Sequence, residues 1–108
     1  SFYGILPVDR GVLLAYGLRG NVFRSTDDGT SWQAVASPVS ALLASAVRLK
    51  SGAIVLAGQA RTLLVSREPS TLVSARQPPA TSIAELLELP NGQLLALGEA
   101  GATRLPPP

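Results

Sequence analysis

The sequence predicts an all-β chain: a partial β-propeller of about 2.75 blades of four-stranded antiparallel sheet on a 40–41-residue repeat. Three observations predict it. Segments 9–20, 50–61 and 90–101 (DRGVLLAYGLRG, KSGAIVLAGQAR and PNGQLLALGEAG) align, so that Gly11, Gly52 and Gly92 fall 41 and 40 residues apart, as do Gly17, Gly58 and Gly98. Apolar columns share that register: Leu13/Ile54/Leu94, Leu14/Val55/Leu95, Phe2/Leu43/Ile83, Leu6/Val47/Leu87, Val8/Leu49/Leu89 and, downstream, Val22/Leu63. Each unit also divides into several short apolar runs separated by turn residues, which is the pattern of strands.

The elements follow in order. Strand a (2–8, 42–49 and 83–89) is the apolar innermost strand of each unit. Strand b (12–16, 53–57 and 93–97) is a nearly continuous apolar run, suited to burial on both faces. Strand c covers 21–25, 62–66 and 102–105, and strand d covers 31–36 and 72–75. The third unit reaches Pro106–Pro108 before a d strand can form, and proline cannot donate to a ladder. The units occupy residues 1–38, 39–79 and 80–108, punctuated by Ser37-Pro38 and Pro78-Pro79. Glycines at the a–b and b–c turns are expected to supply positive φ. One segment conflicts locally: Ser82-x-x-Glu85 is a capping-box pattern, and Ile83, Leu86 and Leu87 have helical spacing. The repeat register sets it opposite two β-like segments, and the prediction is strand.

Residues Ser25-Thr26-Asp27-Asp28-Gly29-Thr30-Ser31-Trp32 fit S/T-x-D-x-G-x-S/T-W at every defined position. On those residues the chain resembles the Asp-box, or bacterial neuraminidase repeat, family, which includes sialidases and non-enzymatic propellers of the photosystem-II-assembly-factor type. An Asp side chain can accept backbone N–H groups of its own turn, and a following Gly supplies positive φ. Ser25 and Ser31 can bond across the loop, and Trp32 offers an apolar body to pack between strands c and d. The resemblance implies that Ser25, Asp27, Gly29, Ser31 and Trp32 are structural, closing the outer hairpin of a blade. A calcium role for Asp27 or Asp28 lacks the alternating carboxylates and distal Glu of an EF-hand loop. The second unit carries a decayed copy, Ser66-Arg67-Glu68-Pro69-Ser70.

Composition bounds the chemistry. The 108 residues suit one small domain; 46% are hydrophobic and 15% charged, which excludes a disordered segment. The net charge is +2 and the basic residues fall singly, so no nucleic-acid footprint is present. There is no Cys, which removes disulfides, zinc thiolates and thiol nucleophiles, and no His, the commonest general base. No metal site and no cofactor are therefore expected. The longest apolar run, near 41–47, is far below a membrane span. Absence of Cys suits a periplasmic or secreted protein. No initiating Met and no signal peptide are seen, which reads as a processed or truncated product.

Sialidases of this fold use an arginine triad, a Tyr/Glu nucleophile pair and an Asp acid/base. Only Tyr3 and Tyr16 are available here, neither beside a Glu in sequence, and Tyr16 reads as a core or rim aromatic. Glu68, Glu85, Glu88 and Glu99 offer no evident carboxylate pair. Arg19 and Arg61 fall at b–c turns and Glu99 at the corresponding third turn, on the face where propellers bind ligands; these three are the candidate ligand-face residues. The expected function is a non-enzymatic scaffold or protein-binding module of the assembly-factor type. The alternative is part of a sialidase-like glycoside hydrolase whose catalytic residues lie outside this chain, with carbohydrate as ligand. Too few blades are present to close a ring, so the expected partners are a protein, further blades of the same protein, or another copy. In that case strand 102–105 has a free or partner-paired outer edge, and the wall of the first unit, including Phe2, Leu13 and Leu14, contacts another blade.

Overall fold

The apolar runs of the sequence become the central strands of three stacked sheets. A computed structural model describes residues 2–68 and 71–106; Ser1, Pro69, Ser70, Pro107 and Pro108 lie outside the described residues. The strands are β1 Phe2–Asp9, β2 Val12–Gly17, β3 Val22–Ser25, β4 Gln33–Val35, β5 Leu43–Arg48 and β6 Ile54–Gly58. They continue with β7 Leu63–Ser66, β8 Val73–Ser74, β9 Ile83–Glu88, β10 Leu94–Gly98 and β11 Gly101–Leu105. A 3-10 turn at Leu18–Gly20 is the one helical element among the described residues. Sequential antiparallel pairing gives sheets β1-β2-β3-β4, β5-β6-β7-β8 and β9-β10-β11, the third having no outermost strand among the described residues. The capping-box segment is β9, paired along its length with β10, so the long-range ladder prevails over the local helix signal.

Why the b strands are apolar on both faces is clearest in β6. Ile54 and Leu56 join Leu14, Tyr16, Val22, Val35, Leu43, Leu64 and Leu72 in a cluster between the first and second sheets. The alternate residues Val55 and Ala57 join Leu49, Leu63, Ile83, Leu86, Leu94 and Ala96 between the second and third. A period of two along a strand therefore feeds both interfaces from one sheet. Burial of this kind is the main stabilising term of a small domain. Ser45 adds a polar tie: its hydroxyl, buried, accepts the Leu86 N–H at 3.0 Å across the second interface.

The columns point consistently. Leu14 and Val55 face the following sheet, as do Leu6 and Val47; Leu13, Ile54 and Leu94 occupy the opposite face, toward the preceding sheet where there is one. Leu14 thus contacts the second sheet as expected. Phe2 and Leu13 do not, because the first sheet has no predecessor within the chain. Phe2 instead meets Phe23 edge to face at 5.4 Å on the outer face of that sheet. Strand a is likewise less buried in the first sheet than expected, with Phe2, Tyr3 and Ile5 all exposed. Leu87 and Leu97 are exposed at the other end of the stack.

The turn glycines divide into two kinds. Gly11, Gly52 and Gly92 have positive φ, as expected for the a–b turns. Gly17, Gly58 and Gly98 do not supply the positive φ expected of them; that conformation falls to Arg19, Gly20, Ala60, Arg61 and Gly101. Gly58 is required for a different reason, since a Cβ there would collide with the Leu42 carbonyl, and one on Gly98 with the Ser82 carbonyl.

Candidate functional site

Antiparallel meanders put the β1–β2 type of turn and the β3–β4 hairpin at one end of each sheet. The β2–β3 type of turn and the inter-sheet connections lie at the other. The two groups of residues singled out in the sequence therefore occupy opposite rims, tied by local contacts. Asp28 N donates to Gly11 O at 3.1 Å on the first rim, and Arg61 Nε donates to Pro79 O at 2.9 Å on the second.

On the first rim the Ser25–Trp32 hairpin is closed by its own side chains. The Asp27 carboxylate accepts Ser25 Oγ at 2.8 Å, Ser31 N at 2.9 Å and Ser31 Oγ at 2.6 Å. Ser25 Oγ, fully buried, accepts Gly29 N at 2.8 Å. The Ser31 hydroxyl, then the Ser31 amide and the Ser25 hydroxyl, hold the Asp27 pKa down to about 2 from 3.8. Asp28 and Gly29 both take positive φ, where only Gly29 was expected to. The Trp32 indole N–H donates to Gly29 O at 3.1 Å, and the ring is 37% exposed. Both oxygens of Asp27 are engaged within the turn, an arrangement that commits this carboxylate to holding backbone. In the second sheet Ser66 Oγ donates to Glu68 O at 2.9 Å, while Pro69 and Ser70 of the decayed copy lie outside the described residues.

On the second rim the three ligand-face candidates have different fates. Arg19 is exposed within the 3-10 turn with φ 58, its backbone in the left-handed region. Arg61 also has positive φ, but its guanidinium is spent on Pro79, bracing the connection to the third sheet. Glu99 accepts the Ser82 N–H at 3.4 Å, at the start of that sheet. They share a rim, yet two of the three serve their own connections.

The fold also joins a pair that the sequence keeps apart. Glu85 of β9 lies within electrostatic range of the buried Tyr16 hydroxyl of β2. Burial, and then the Glu85 charge, raise the Tyr16 pKa above its ordinary 10.0, while a hydrogen bond with the Ala46 backbone pulls the other way. Such a phenol keeps its proton, the opposite of an activated nucleophile. Side-chain spacing within one unit could not have found this pair, which lies on strands of different sheets. Among the described residues no group of three or more His, Cys, Asp or Glu could hold a metal ion, and no helix is long and apolar enough to cross a membrane.

No family model matches the chain, and no curated protein matches it. A solved structure of YCF48 bound to D1 peptide does, with a TM-score of 0.59 and 19% identity over 95% of this chain. The fold is that of a β-propeller segment. The chain covers 34% of the YCF48 chain, so it corresponds to about a third of that propeller. The three sheets are accordingly successive blades, and the two apolar clusters are the contacts between blades. The outward faces carrying Leu13 and Leu87 are the positions at which a preceding and a following blade would pack.

Proposed function

We propose that this chain is part of a non-enzymatic, Asp-box propeller scaffold that binds protein partners, as assembly-factor propellers do. The observation that carries the reading is the match of nearly the whole chain to a propeller whose structure contains a bound peptide. The Ser25–Trp32 geometry supports a structural role for Ser25, Asp27, Gly29, Ser31 and Trp32, because both Asp27 oxygens, both serine hydroxyls and the indole N–H bond inside the turn. Arg19, with Arg61 and Glu99 beside the connections, is the rim proposed to meet ligand. A periplasmic or secreted location is part of the same proposal.

The test is a selection for binders. The purified chain, immobilised, is panned against a random peptide display library, and selected peptides are measured by fluorescence anisotropy. Saturable binding is expected, with no release of chromophore from aryl sialosides. The sialidase-like reading has one observation in its favour, the approach of Glu85 to Tyr16. Hydrolysis that disappears in both Tyr16→Phe and Glu85→Gln would establish that reading and overturn the scaffold.

A further inference from the structure

Each innermost strand carries one extra residue at the same place in the repeat. The pairing steps from Phe2 to Gly4 on β1, from Leu43 to Ser45 on β5 and from Ile83 to Glu85 on β9, passing over Tyr3, Ala44 and Ala84. An extra residue reverses the side-chain alternation beyond it. Leu43 accordingly packs toward blade one, whereas Ser45 faces blade three and accepts the Leu86 N–H at 3.0 Å. That bond is buried, and its donor belongs to the edge strand β9. A buried N–H without an acceptor is costly, so the hydroxyl answers a specific need.

Blade one meets the same need with different residues. Ser45 stands 41 residues after Gly4, and Leu86 stands 40 after Ala46, so the equivalent bond would join Gly4 to the Ala46 N–H. Gly4 has no side chain to offer. Its partner across the ladder is Tyr16, whose ring lies over it closely enough that a Cβ on Gly4 would run into the phenol. The Tyr16 hydroxyl reaches blade two from there and bonds the Ala46 backbone. Because that bond favours the phenolate, the phenol oxygen is the acceptor and the Ala46 N–H the donor. In blade two the residue across from Ser45 is Ala57, and in blade three the same pair is Glu85 and Leu97.

We propose that these are two versions of one inter-blade fastening. Beyond each bulge, the turned residue or the side chain crossing it supplies an oxygen that takes an edge N–H of the following blade. Tyr16 over Gly4 and Ser45 beside Ala57 are interchangeable, because the acceptor is long where its neighbour is small and short where it stems from the bulged strand itself. Tyr16 is thereby a structural acceptor between blades. This goes beyond the scaffold reading and holds whatever the scaffold binds.

The test transplants the blade-two version into blade one. Gly4→Ser with Tyr16→Ala copies Ser45 and Ala57; Gly4→Ala with Tyr16→Ala differs from it only by the oxygen. In guanidinium titrations of the full chain followed by Trp32 fluorescence, the serine version should have a folding constant about tenfold larger, as an acceptor restored to a buried N–H requires. Tyr16→Phe and Ser45→Ala each remove one oxygen with little change of shape. Amide exchange followed by nuclear magnetic resonance should quicken at Ala46 in the first and at Leu86 in the second, about tenfold relative to neighbouring amides. Ala46 should regain its protection in the serine double variant. Equal stability of the two double variants would overturn the inference, and so would unchanged exchange at Ala46 in Tyr16→Phe. If neither double variant folds, exchange at Ala46 and Leu86 in the two conservative variants decides alone. Gly4→Ser by itself should lower the unfolding midpoint by displacing the phenol, and a raised midpoint would equally overturn the inference.

Discussion

Truncating leucines that occupy the two kinds of face should have sharply different costs. Leu56 is 0% exposed between blades one and two, whereas Leu87 is 54% exposed on the outward face of blade three. Leu56→Ala removes three carbons at about 0.8 kcal/mol each, about 2.4 kcal/mol, and the cavity left in a packed interface adds about 1 kcal/mol. The sum is about 3.5 kcal/mol. For Leu87→Ala about half of the transfer loss applies and no enclosed cavity forms, giving roughly 1 kcal/mol. Trp32, on a turn at the rim, provides a fluorescence signal for guanidinium unfolding, and the shift in midpoint at constant slope gives each difference. Equal costs would refute the assignment of Leu87 to an open face. A cost for Leu87→Ala that climbs with protein concentration would show that another molecule covers that face.

Three other outcomes follow from local geometry. Asp27 is bound in its charged form, so in the folded chain it titrates near 2 while the unfolded residue titrates near 3.8. The unfolded state binds more protons between these values, so the contribution is complete above pH 3.8 and fades as pH falls toward 2; Asp27→Asn should flatten the acid limb of a melting-temperature profile. Gly58→Ala should destabilise more than Gly52→Ala when both are melted by calorimetry. A Cβ at Gly58 meets backbone, whereas at Gly52 it meets open space and only the positive φ is unfavourable, worth on the order of 1 kcal/mol. Tyr16 should ionise above 10.0 in an ultraviolet titration compared with Tyr16→Phe, and Glu85→Gln should bring it part of the way back, since burial is the larger cause. Because the folded phenol keeps a proton that the unfolded one releases, stability should fall as pH rises through 10.0.

What the sequence revealed depended on how local the physics was. Columns such as Leu13/Ile54/Leu94 mark strands because burial repeats with the blade, and the same register overrides the capping-box signal of Ser82 and Glu85. The hairpin of Ser25–Trp32 was legible because its bonds span at most four residues. The role of Gly58 was misread, since a clash with Leu42 arises only when two strands converge. The bond from the Trp32 indole N–H to a carbonyl within its own turn was not legible either, since hydrophobicity does not reveal it. The electrostatic pairing of Glu85 with Tyr16 needs separate sheets assembled, and no pattern within one unit encodes it.

The position of β6 has a dynamic consequence. It contributes side chains to both inter-blade clusters, while β1 and β11 each belong to a blade with one uncovered face. In stacked repeats each unit is stabilised mainly by its neighbours, so opening propagates inward from the ends. Amide hydrogens of Val55 and Leu56 should then exchange with deuterium only when the whole chain unfolds, and those of β1 and β11 should exchange through cheaper, partial openings. Taken by itself, this chain would carry a gradient of protection, highest at its middle blade.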